Sequence, residues 1–120
     1  MSNRQHADSM SEQGNFQYAE IVGSQPLRVD SGTTNIRVTG SSTPVITQIK
    51  AQTRIGRKIR IFAASDSAAS VVINDVAGNI VTASGTLTLA VNEYAEFIHT
   101  PQASGASPVW LATSTNGTDS

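Results

Sequence analysis

The stretch Gly56-Arg57-Lys58-Ile59-Arg60-Ile61-Phe62-Ala63-Ala64 alternates residue by residue. Ile59 and Ile61 fall on one side of an extended chain, while Lys58, Arg60 and Phe62 fall on the other. That two-residue period belongs to a strand with one buried face, not to a helix. Working outward, the pattern recurs. Ile36 and Val38 alternate with Arg37, and Leu27 and Val29 share a face. Leu87, Leu89 and Val91 point inward against Thr86, Thr88 and Ala90. Gly, Ser, Asn, Asp and Pro punctuate these runs, and 75–79 reads as a hairpin loop in which Gly78 supplies a positive φ.

Ile and Val together occur twenty times and Leu only four. β-branched side chains are stiff at χ1 and pack well on a pleated surface, whereas Leu is the better helix former. The chain is therefore expected to be all-β, an antiparallel β-sandwich or jelly roll of about nine short strands at the roughly 8–12-residue spacing typical of such folds. The domain is placed at 16–115, after a flexible arm at 1–15 and before a loose tail at 116–120. The arm is polar and aperiodic, either a frayed end or a segment that orders on a partner.

At 120 residues there is room for one core. Aromatics are only 5% of the chain, so large apolar groups are thin, and an oligomer that buries further strand faces would ease the deficit. A net charge of −1 gives no long-range pull toward nucleic acid or an anionic membrane. The absence of cysteine excludes disulfides, thiolate metal sites and thiol catalysis. No apolar run resembles a signal peptide or approaches a membrane helix, so a soluble product made without export is expected.

Catalytic signals are weak. His6 lies in the arm, and His99, beside Thr100-Pro101, reads as a surface strand residue. Glu93 and Glu96 are three apart, which on a strand sends them to opposite faces and makes a poor acid–base pair. There is no serine elbow, phosphate loop or metal-ligand spacing. No enzyme, cofactor or metal is expected. One local charge cluster stands out: Arg54, Arg57, Lys58 and Arg60. It suits phosphates or an acidic protein surface; equally, it suits a solvated face that blunts a strand edge. Trp110, the single tryptophan, is a core anchor or a subunit-contact hot spot.

From Gly56 to Trp110 the chain resembles the β-repeat domains of tailed-bacteriophage virion proteins. The matching features are the Gly56–Ile61 strand, Val71-Val72-Ile73-Asn74-Asp75, Gly78-Asn79-Ile80, Leu87-Thr88-Leu89, Asn92-Glu93-Tyr94 and the closing Trp110. Tail fibres, spikes and capsid decoration (cement) proteins share this pattern. The resemblance implies a virion structural role, a homotrimer and no catalytic residues. The chain's size and layout are most similar to a decoration protein made in the host cytoplasm. Such a protein binds the major capsid protein on the outer shell. On that reading Arg4, Phe16, Tyr18, Arg54, Arg57, Lys58 and Arg60 are candidate capsid contacts, and Phe62, Tyr94, Phe97 and Trp110 candidate subunit contacts. The alternative is a tail-fibre or receptor-binding tip, often glycan-binding. The scarcity of aromatics weighs against that and against a carbohydrate-binding module; the missing carboxylate pair weighs against a polysaccharide-degrading spike fragment.

Overall fold

The computed structural model describes residues 16–40, 43–51, 54–64, 70–103 and 105–120. The expected arm at 1–15, with Arg4 and His6, and the loop at 65–69 lie outside the described residues.

Short β-branched runs form strands throughout, and the first six wind alternately between two sheets. β1 (Phe16–Glu20), β3 (Asn35–Thr39) and β5 (Lys58–Ala63) lie in one; β2 (Ser24–Val29), β4 (Val45–Ala51) and β6 (Val71–Asn74) lie in the other. Within each set the neighbours are parallel. Then β7 (Ile80–Val81), β9 (Tyr94–Thr100) and β10 (Val109–Thr115) complete a six-stranded sheet of order β1-β3-β5-β9-β10-β7. β8 (Thr86–Leu89) and β11 (Thr118–Asp119) complete a five-stranded sheet of order β11-β8-β6-β4-β2. β9 runs antiparallel to β5, and β8 antiparallel to β6, so antiparallel strands close the stack of coils.

The all-β sandwich is as expected, but its sheets are mixed rather than antiparallel. Residues 75–79 turn tightly as expected, with Gly78 at a φ of 78° and Val76 and Ile80 bonded to each other through both backbone groups. The turn carries the chain from one sheet to the other, however, so β6 and β7 do not pair as a hairpin. The tail at 116–120 is not loose: β11 pairs with β8. There the Asp119 carboxylate accepts the Ala83 and Ser84 N–H groups, both at 3.1 Å. Val91 is exposed rather than inward, because the chain turns after Leu89. Asn92 takes a positive φ of 69°, and the Glu93 carboxylate accepts the Ala90 N–H at 2.7 Å.

The core fills the space between the sheets. In-register pairs stack Ile36 on Ile61 and Ile46 on Ile73, with Leu87 beyond. Phe97 and Trp110 are its largest members. At one corner the coils are bonded backbone to backbone. The Val45 N–H donates to the Gly23 carbonyl and the Val72 N–H to the Pro44 carbonyl, each at 2.9 Å. Gly40 lies at this corner, where a Cβ would come within 2.5 Å of the Ile21 carbonyl oxygen and 2.6 Å of Pro44 Cγ. Gly40→Ala should therefore destabilise by about 1–3 kcal/mol, as overpacking does. Urea denaturation checks this; an unchanged midpoint would mean that the corner yields freely.

Two side-chain amides continue the backbone pairing where strands run out. β6 covers β4 only at Val45 and Ile46. Further along, the Asn79 amide takes over: its Oδ1 accepts the Ile49 N–H at 2.7 Å and its Nδ2 donates to the Ile49 carbonyl at 3.0 Å. At the opposite end of the stack, β1 and β2 are edge strands. There Gln17 Nε2 donates to the Arg28 carbonyl at 2.6 Å, and Gln17 Oε1 accepts the Asp30 N–H at 2.8 Å. Pro26, beside a register shift in β2, removes another donor from that edge.

Candidate functional site

The outer face of the six-stranded sheet is built by alternation and register. Each inward Ile, Val or Ala sends its neighbours outward. Pairing then sets Phe16 opposite Asn35, Asn35 opposite Arg60, and Arg60 opposite Glu96. The next row runs Tyr18, Arg37, Phe62, Tyr94. Four of the six aromatic side chains thus come from three separate strands onto one face. Phe16 is 46% exposed and Tyr18 73%, while Phe62 and Tyr94 are half-buried. The Phe16 and Phe62 ring centres are 6.3 Å apart, and those of Phe62 and Tyr94 6.2 Å apart. Tilted pairs at this spacing attract through ring quadrupoles. Cations thread the cluster: the Arg37 guanidinium lies 6.0 Å from the Phe62 ring centre and that of Arg60 5.8 Å from Tyr94. Arg60 also pairs with Glu96 at 3.2 Å; being exposed, that pair contributes only about 0–1 kcal/mol. Beyond Lys58 a third row, Ile98, Leu111 and Val81, extends the apolar area.

The outer face of the five-stranded sheet is different. Its paired positions carry Ser24, Val45, Val72, Thr88 and Thr118 in one row, with Asn74 opposite Thr86 and Arg28 opposite Lys50. No aromatic side chain stands there. The molecule has one aromatic, cation-threaded face and one largely polar face.

The structure redistributes the candidate residues. Phe16, Tyr18 and Arg60, read as capsid contacts, share a single surface with Phe62 and Tyr94, read as subunit contacts. Two candidate interfaces are therefore one face. Phe97 and Trp110 are corrections: at 0% and 2% exposure they are enclosed by their own core and present nothing to a neighbour. Arg37 was missed, because two strands' register is needed to bring it over Phe62. Arg54, Arg57 and Lys58 line the turn between β2 and β3, with Lys58 at the margin of the outer face, two residues from Arg60. Arg57 is a strut there, donating to the Asp30 carbonyl at 3.0 Å and the Thr33 carbonyl at 2.7 Å.

His99 lies in β9 but is half-buried rather than fully at the surface. Its ring lies 4.7 Å from Trp110, and its Nδ1 is buried with no hydrogen-bond partner. Glu93 is engaged in its turn and Glu96 on the outer face, so the two do not converge. Among the described residues no three His, Asp or Glu side chains gather as a metal site, and no helix is long and apolar enough to cross a membrane. No family model matches the chain, and no curated protein matches it.

Proposed function

We propose that this chain is a non-enzymatic structural protein of a tailed-phage virion: a decoration protein that binds the major capsid protein on the outer shell as a homotrimer. One observation carries the reading, the asymmetry of the two outer faces. Aromatic and arginine side chains are the residues that dominate protein contacts, and here they are gathered on one side of a rigid sheet. The opposite, threonine-rich face suits solvent. Phe16, Tyr18, Arg37 and Arg60 would meet the capsid directly, with Phe62 and Tyr94 holding them in place. The mechanism is mass action: a protein that binds only the assembled shell stabilises it in proportion to its occupancy.

Copy number in purified particles, measured by quantitative mass spectrometry against the major capsid protein, tests the proposal. Hundreds of copies are expected. A few to a few tens would move the protein to the tail, and absence from particles would overturn the virion reading altogether.

A second reading, a tail-fibre or receptor-binding tip, is favoured by two features. Parallel winding through β1–β6 makes an extensible, shaft-like body. The shared aromatic face also answers the scarcity of rings, since four of them act together.

A further inference from the structure

The turn between β2 and β3 and the segment leading into β5 enclose an open cleft of about 730 Å³. Its lining includes Ser31, Thr33, Thr34, Arg54, Arg57 and Lys58, with two glycines and Ile55 completing it. The composition is unusual for this chain. Three of its eight Lys and Arg residues line one cleft, and among the described residues no carboxylate lines it with them. Across the gap Ser31 and Thr34 are exposed and bring hydroxyls to the cleft, while Thr33 is buried and offers its carbonyl to Arg57. Ile55, 51% exposed, is the one large apolar side chain at the cleft.

The cleft is constructed rather than incidental. Gly32 and Gly56 hold positive φ angles of 82° and 95°, which shape its two walls, and a Cβ at either would meet only open space. Arg57 bonds the Asp30 and Thr33 carbonyls of the opposite wall and so fixes the gap's width. The Gly56 N–H and the Arg57 carbonyl are tied to the His99 backbone, at 2.7 and 2.9 Å. The cations are therefore carried on braced backbone.

We propose that this cleft binds an acidic oligosaccharide, one bearing carboxylate or sulfate groups. Its volume lies within the roughly 300–1,000 Å³ of small-molecule sites. Fixed cations suit the acid groups, and hydroxyls suit a polyhydroxylated body. An apolar peptide would find only Ile55 to pack on. A nucleic acid would find no aromatic side chain among the described lining residues on which to stack its bases. The site meets the outer face only at Lys58, two residues along β5 from Arg60, and it does not depend on which virion position the protein occupies.

The test is calorimetric titration of the full chain with trigalacturonate, with neutral maltotriose and with a triglutamate peptide at matched ionic strength. Trigalacturonate should bind at least ten-fold more tightly than either comparator. The double variant R54E/K58E should abolish binding while keeping the wild-type circular dichroism spectrum, and K58A alone should weaken it several-fold. Tyr18→Ser, on the aromatic face, should leave it unchanged. Failure of trigalacturonate to bind, equal binding of maltotriose or triglutamate, or an undiminished affinity in the folded double variant would each overturn the proposal. Loss of affinity in Tyr18→Ser would overturn the cleft as the site. None of these results alters the copy number, so this inference and the virion reading fail separately.

Discussion

Replacing Trp110 with alanine is expected to destabilise the protein by about 3–5 kcal/mol, the usual range for emptying a buried aromatic site. Trp110 heads the fully buried side chains of the core by size. Its position in β10 places it between β9 and β7, opposite His99 on one side and Ile80 on the other. The indole lies against the His99 ring at 4.7 Å, so truncation also strips one wall from a half-buried imidazole. Neighbours here are strands held in ladders, which cannot collapse far into the void. A domain of this size has a total stability of only about 5–15 kcal/mol. The variant should therefore melt on the order of 20 °C below wild type. Thermal denaturation followed by circular dichroism measures this, with Trp110→Phe as a milder companion. A loss below about 1 kcal/mol would show that the side chain is not enclosed.

Asn79→Ala should have the next largest effect, about 2–4 kcal/mol. The substitution removes no apolar volume of note. It leaves the Ile49 N–H and carbonyl without the amide that bonds both of them, in a partly buried place. Unmade bonds at buried peptide groups cost more than the made bonds contribute. Asn79 also sits between the sheets, because its own carbonyl accepts the Trp110 N–H at 2.7 Å. Equilibrium denaturation gives the magnitude. Amide hydrogen exchange gives the location: the Ile49 N–H should lose protection more than the N–H of Ile61, in the other sheet. Uniform loss across both sheets would show that the amide acts globally and not at this edge.

The strands and their inward faces were legible because alternation reports burial directly. Ile59 and Ile61, like Leu87 and Leu89, are buried as their spacing requires. Partnership was not legible. A two-residue period says which side faces the core, but a strand alternates in the same way beside a parallel neighbour as beside an antiparallel one. The coils also differ in length, since β1, β3 and β5 begin at residues 16, 35 and 58. Even the one local echo misleads. Asn35-Ile36-Arg37-Val38 resembles Lys58-Ile59-Arg60-Ile61, yet Ile36 pairs with Ile61, two residues out of step.

The candidate face was hidden for a related reason. Its aromatics stand at 16, 18, 62 and 94, and only pairing through β3 and β5 gathers them. Trp110 and Phe97 show the reverse. Large aromatics attract a binding interpretation, but in a chain this poor in them two were needed to fill the core. Asn79 was readable as a turn residue; that its side chain would serve as a piece of sheet depends on β6 ending short of β4's far half.

A stack of parallel coils has no natural stopping point, because each coil exposes an edge like the one it covers. Left bare, the β1 and β2 end would template the next molecule, and the next, into filaments. Gln17 acts as a chain terminator, spending both halves of its amide on β2 groups that another strand would otherwise bond. Pro26 seconds it on the same strand. The winding therefore ends where the chain's own side chains end it, with donors and acceptors already engaged.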